Sequence, residues 1–190
     1  MMIRPSVKFT FEERFFLHEF NLPPSTPPRP LIALNLRQIL GEKLNLSPET
    51  LNFTVKNQGK PVLSPAQNSM NLSFNLSHSN GKVLLGIAFP SSLGTSVEIG
   101  VDLEKKRPID ALKVAKRFFH PSEYERLLHS SPANRDDLFF TYWTKKEAYV
   151  KCLGERLIFH LKENIEEVLK NYAVQSWKED DFFYAVVVQS

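Results

Sequence analysis

The chain has a single cysteine, Cys152, in 190 residues. That excludes an internal disulfide framework and any zinc site built from several thiolates, so stability must come from core burial. Long hydrophobic runs are also missing. The longest apolar stretch, Val83 to Phe89 with Gly86 inside it, falls far short of the ~20 residues that cross a bilayer. Met1 opens no charged-then-apolar leader. There is no polybasic tail either: the net charge of +3 is spread along the chain, which offers nucleic acid and membrane surfaces little to hold and leaves anionic small ligands as candidates. What is present is 42% hydrophobic and 24% charged content with 15 Phe. The expectation is a soluble, intracellular protein of one domain, or of two small lobes sharing a core.

Residues 7–20 read as a strand and a short helix. Pro23 to Pro30 holds five prolines, which remove donors and fix φ, so it reads as an extended connector barred to helix. Leu31 to Leu44 has helical spacing, with Arg37 on its less apolar face. Leu51 to Val62 reads as two short strands around Asn57, Gln58 and Gly59, and Phe74 to Leu76 as a strand stopping at Ser77. Val83 to Phe89 and Val97 to Glu104 follow as strands, separated by a turn over Pro90 to Ser96. Beyond Pro108 the pattern becomes helical: Ala111 to Phe119, Ser122 to Leu128 with Ser122 and Glu125 at capping-box spacing, and Asp136 to Leu153 ended by Gly154. Strands over Tyr172 to Trp177 and Phe182 to Val188 close an α/β (α+β) chain, and two runs of helix plus strands suggest two similar lobes.

Three clusters carry chemistry. Asp102 and Glu104, two apart on a strand, share one face ~6.6 Å apart while Val101 and Leu103 face the core. Such a pair suits a hard divalent ion such as Mg²⁺ or Mn²⁺, or is simply two solvated acids at a strand edge. Glu147 and Lys151, four apart, are neighbours on one helix face with Trp143 a turn earlier. They read either as a surface ion pair or as a third carboxylate and a cation for phosphate. Ser77-His78-Ser79 at a strand end can donate to an oxyanion. A hydrolase triad is rejected, because nothing resembles a nucleophile elbow and adjacent Ser77 and His78 point to opposite sides of a strand.

In order and spacing these segments resemble one family, the Sfp-type 4'-phosphopantetheinyl transferases. The resemblance is carried by Gly59-Lys60-Pro61, Phe74-Asn75-Leu76-Ser77-His78-Ser79, Ile99-Gly100-Val101-Asp102-Leu103-Glu104, Phe118-Phe119 with Glu123, and Trp143-Thr144-Lys145-Lys146-Glu147-Ala148-Tyr149-Val150-Lys151. It implies a pseudo-dimer of two similar lobes, residues 1–98 and 99–190, each with a small antiparallel sheet and helices. It implies a cytoplasmic, monomeric transferase that moves the 4'-phosphopantetheine of coenzyme A to a serine of an apo acyl or peptidyl carrier protein, releasing 3',5'-ADP. By the same resemblance Asp102, Glu104 and Glu147 are the metal ligands for Mg²⁺ or Mn²⁺, and Glu147 and Lys151 the catalytic residues. Arg37, or Arg29 in its place, would meet coenzyme A phosphates with Lys60, Ser77, His78 and Lys151. Lys113, Lys116, Arg117 and Arg126 would face the acidic helix of the carrier, or be a plain solvated face.

Two features depart from the pattern. Residues 1–30 do not match the family's usual start, and Gly154-Glu155-Arg156-Leu157 has Arg156 where the family commonly has a second glycine. Two other function classes follow: an inactive module that binds carrier or coenzyme A, and a metal-dependent phosphohydrolase using the same three acids.

Overall fold

The computed structural model describes residues 6–10, 14–24, 27–56, 59–92 and 95–189. The expected turn residues Asn57 and Gln58, and part of the Pro90 to Ser96 turn, lie outside them. In chain order the elements are β1 (Ser6–Thr10), β2 (Phe15–Asn21), α1 (Pro28–Leu44), β3 (Phe53–Lys56), β4 (Lys60–Leu63), β5 (Ser73–Ser79), β6 (Lys82–Ala88) and β7 (Glu98–Lys105). Then come α2 (Ala111–Phe118), α3 (Pro121–His129), α4 (Pro132–Leu153), α5 (Leu157–His160), α6 (Ile165–Val168), β8 (Ala173–Glu179) and β9 (Phe182–Gln189). Antiparallel pairing gives a four-stranded sheet in the order β1-β2-β6-β5, a three-stranded sheet β7-β9-β8 and the hairpin β3-β4. The α/β class is as expected, and no described helix is long and apolar enough to cross a membrane.

The apolar runs are explained by sheets covered on both faces. Along β6, Val83, Leu85 and Ile87 pack with Leu36, Ile39 and Leu40 of α1, while Leu84 and Ala88 face the second sheet beside Ile99, Val101 and Leu103. Along β9, Tyr184, Val186 and Val188 join that inner layer, and Phe183, Ala185 and Val187 pack under α4 with Phe140 and Val150. The two sheets are thus stacked with α1 outside one and α4 outside the other.

Several sequence expectations shift. The helix foreseen before Phe20 is strand β2, because every residue of Phe15–Asn21 pairs with β6. The proline stretch is not wholly a connector: α1 begins inside it at Pro28, where the first-turn N–H groups have no intrahelical partner for proline to remove. Helix α3 is capped by His120, whose ring accepts from Ser122 N–H while Glu123 returns to the His120 N–H, not by Ser122 with Glu125. Strand β5 runs on through Ser77 to Ser79.

Helix α1 also buries His18. On β2 its side chain lies on the α1 side with Phe16 and Phe20, and neither ring nitrogen has a hydrogen-bond partner. Burial, helped by the Lys43 charge, pushes its pKa down from 6.5 to about 4. Folding therefore prefers neutral His18, whose contribution is complete above pH 6.5 and is lost as pH falls toward 4. Wild type should lose about 3 kcal/mol more than His18→Leu between pH 7 and pH 4, as read from urea denaturation. Equal losses would show that His18 does not set acid sensitivity.

Candidate active site

The site begins where α4 lies on β7. A Cβ on Gly100 would stand 1.9 Å from the Ala148 carbonyl oxygen and 2.3 Å from the Cys152 nitrogen, so the helix backbone rests directly on the strand. The next strand residue on that face is Asp102, and the helix residues beside Ala148 and Cys152 are Glu147 and Lys151. Helix α4 ends at Gly154, with φ of 70°, a left-handed cap that favours glycine.

Asp102 is buried. Its Oδ1 accepts from Lys151 Nζ at 2.6 Å and from Ser77 Oγ at 2.8 Å, and Lys151 Nζ also donates to Ser77 Oγ at 3.0 Å. Its Oδ2 is buried and has no partner. Burial raises the pKa of Glu147, and repulsion from Asp102 and Glu104 adds to that against the opposing pull of Lys151. Glu104 is half-buried and accepts from Arg107 at 2.9 Å and Ser79 at 3.3 Å. Asp102, Glu104, Glu147 and Lys151 therefore sit in one electrostatic neighbourhood; spacing alone had paired only Asp102 with Glu104 and Glu147 with Lys151.

Among the described residues no three His, Cys, Asp or Glu side chains close on a single metal position. Mg²⁺ does not need them to, since it is usually held by one or two carboxylates and completes its shell with water and substrate phosphates. The bare Oδ2 of Asp102 and an all-oxygen donor set carrying more negative charge than Lys151 offsets fit a hard divalent ion.

The remaining expected residues are dispersed. Lys60 is half-buried, its side chain largely covered, and it donates to Glu98 at 2.8 Å, the Ile99 carbonyl at 3.2 Å and the Cys152 carbonyl at 3.4 Å, tying β4 to β7 and the end of α4. Arg37 donates to the carbonyls of Leu51 at 2.5 Å and Pro48 at 3.2 Å, with its guanidinium over Phe53, so it pins α1 to the following turn. Ser77 is buried against Asp102, whereas His78 is exposed and lines a shallow groove of about 370 Å³ with Leu22, Pro23 and Pro28. Trp143 stacks on Phe119 and Phe139 within the aromatic core. On α2, Lys113, Lys116 and Arg117 are exposed; Arg126 pairs with Glu166.

Sequence reasoning missed two features. Ser73, Asn75, Ser77 and Ser79, alternate residues of β5, reach respectively Glu98 and Ile99, Val101, Asp102, and Glu104 with Lys105 on β7. Short polar side chains thus stitch the edge of one sheet to the edge of the other. Their period-two spacing was readable; the partner strand was not. The second feature is a buried ion pair, Lys146 with Glu123 at 2.9 Å.

Residues 98–188 match the family model of the 4'-phosphopantetheinyl transferase superfamily. The chain is 40% identical over 121 residues to the 4'-phosphopantetheinyl transferase HetI of Nostoc sp., covering 63% of this chain and 48% of that protein. It is 33% identical over 122 residues to the 4'-phosphopantetheinyl transferase Sfp of Bacillus subtilis, covering 64% and 50%. A Candida glabrata protein named L-aminoadipate-semialdehyde dehydrogenase-phosphopantetheinyl transferase is 29% identical over 157 residues, covering 78% and 58%. The chain spans about half the length of the curated relatives it matches. The matched segment contains both β7 and α4, hence Asp102, Glu104, Glu147 and Lys151 in their observed apposition: residues 98–188 belong to the 4'-phosphopantetheinyl transferase superfamily.

Proposed function

We propose that the protein transfers the 4'-phosphopantetheine group of coenzyme A to a serine of an apo acyl or peptidyl carrier protein. The observation that carries this reading is the apposition of Asp102, Glu104 and Glu147 with Lys151, within the segment that matches the superfamily. In the reaction the serine oxygen forms a bond to the β-phosphorus of coenzyme A, the bond to the bridging pyrophosphate oxygen breaks, and 3',5'-ADP leaves. Asp102, Glu104 and Glu147 would hold Mg²⁺ or Mn²⁺. When bound, that ion supplies charge neutralisation on the pyrophosphate. Lys151, held by Asp102 and Ser77, places a second positive charge at the same phosphates. Glu147 is also the candidate to accept the serine proton, a role in which ligation of a cation would make it a weak base. His78 is exposed and ready to donate to a coenzyme A phosphate. Residues 1–98 and 99–190 would act as two lobes meeting at this cluster, with Lys113, Lys116 and Arg117 facing an acidic carrier helix.

A second reading, a module that binds without turnover, is supported by the internal hydrogen bonds of Arg37 and Lys60, two side chains expected at coenzyme A phosphates. One assay separates the two. Incubation with coenzyme A, Mg²⁺ and several apo carriers should raise carrier mass by one phosphopantetheine. Asp102→Ala and Glu147→Ala should each lower the rate on the order of 100-fold or more with an unchanged circular dichroism spectrum. Carrier binding with no mass change would establish the second reading, and 3',5'-ADP released without a carrier would point to hydrolysis.

A further inference from the structure

Ser77 was expected at a coenzyme A phosphate, but its surroundings assign its hydroxyl elsewhere. A serine hydroxyl has one proton to donate. Here that proton goes to Asp102 Oδ1 at 2.8 Å, and the oxygen accepts from Lys151 Nζ at 3.0 Å. Ser77 is 7% exposed. To reach a phosphate it would have to release a buried carboxylate.

We infer that Ser77 is a positioning residue for metal binding: with Lys151 it saturates Asp102 Oδ1, which fixes the carboxylate plane and leaves Oδ2 as the oxygen offered to the ion. The strand register supports this. Ser77 and Ser79 are two apart on β5, Asp102 and Glu104 two apart on β7, and each serine meets its own acid. The contacts differ in grip. Glu104 is also held by Arg107 at 2.9 Å, nearer than Ser79 at 3.3 Å, so removing Ser79 should matter less. The exposed His78 lies between them on the opposite face of β5. One strand therefore presents an exposed histidine outward and sets a buried serine against Asp102 inward. Groups that hold a ligating carboxylate typically contribute 10- to 100-fold to metal affinity.

The inference rests on the metal reading of Asp102, and the test separates the two. The full chain is titrated with Mn²⁺, following free ion by electron paramagnetic resonance, in wild type, Ser77→Ala, Ser79→Ala and Asp102→Asn; coenzyme A affinity is measured without metal, and melting temperatures are recorded. The expected result is Mn²⁺ binding that Asp102→Asn abolishes, Ser77→Ala weakens at least about tenfold and Ser79→Ala weakens less. Ser77→Ala should melt lower than wild type, having lost a buried hydrogen bond to a carboxylate, yet remain folded at the titration temperature, and its metal-free coenzyme A affinity should fall far less than its Mn²⁺ affinity. Wild-type Mn²⁺ affinity in Ser77→Ala, or a loss of coenzyme A affinity in its place, overturns the inference while the metal reading stands. Absence of Asp102-dependent Mn²⁺ binding in wild type overturns both.

Discussion

Gly100→Ala is expected to abolish carrier loading and to destabilise the fold, although the change adds one methyl group to a strand with unremarkable backbone angles. The new Cβ would lie 1.9 Å from the Ala148 oxygen, 2.3 Å from the Cys152 nitrogen and 2.9 Å from the Cys152 Cα. All three are helix backbone, which cannot rotate away as a side-chain tip can. Relief requires α4 to lift from β7 by more than about 1 Å. Overpacking of this kind costs about 1–3 kcal/mol, occasionally more. The functional loss should be larger, since Lys151 and Glu147 ride on the same turns and Lys151 holds Asp102 at 2.6 Å; misplacing a reacting group by about 1 Å can cost on the order of 100-fold. Gly86→Ala is the control. Its Cβ would meet only side-chain atoms of Val101 and Ile99, at 2.6 and 2.9 Å, away from the acidic face. Urea denaturation and carrier-loading rates of the two variants would decide the matter: a Gly100→Ala protein with wild-type turnover would show that α4 is not set by this contact.

What the sequence made legible was what a single element encodes. The runs Val83 to Ala88 and Phe182 to Val188 are apolar because both faces of each strand are covered, and period-two spacing put Asp102 and Glu104 on one side and Val101 and Leu103 on the other. Helical spacing likewise put Glu147 beside Lys151. Contacts between distant elements were hidden. Arg37 and Lys60 look like free cations, yet their acceptors are largely backbone carbonyls of Pro48, Leu51, Ile99 and Cys152, which every residue carries and no pattern marks. Ser77 to Ser79 looked like a strand end because serines favour turns; β5 continues since those hydroxyls find partners on β7. The His120 cap was missed because an imidazole nitrogen took the accepting role usually filled by Ser, Thr, Asp or Asn. The four site residues converge only because α4 is allowed onto β7, and the permissive residue, Gly100, has no side chain to advertise it.

Lys146→Ala should lower the stability of the whole chain by about 3–5 kcal/mol, the usual consequence of stripping one partner from a buried ion pair. Lys146 and Glu123 are each 1% exposed. Lys146 Nζ lies 2.9 Å from Glu123 Oε2 and donates to the Glu163 carbonyl at 2.6 Å. Glu123 accepts from the backbone of Ile165 at 2.8 Å and of His120 at 3.1 Å. The pair thus joins the start of α3, the middle of α4 and the segment that enters α6. Burial pulls the Lys146 pKa down, and attraction to Glu123 and Glu163 works against it, so the ammonium depends on these partners to remain charged. With Lys146 gone, Glu123 would be left as an uncompensated buried carboxylate. Glu123→Gln, which retains an oxygen for the Ile165 N–H, should cost less than Lys146→Ala. The double variant should cost less than the two losses added, with coupling above about 1 kcal/mol. Consecutive helix residues project about 100° apart, so anchoring Lys146 under α3 turns its neighbour Glu147 toward β7. Carrier loading by the folded fraction of Lys146→Ala should fall as well, measured under conditions where circular dichroism shows a native spectrum. A stability loss under about 1 kcal/mol, or additive losses in the double variant, would mean that the pair is incidental to the placement of α4.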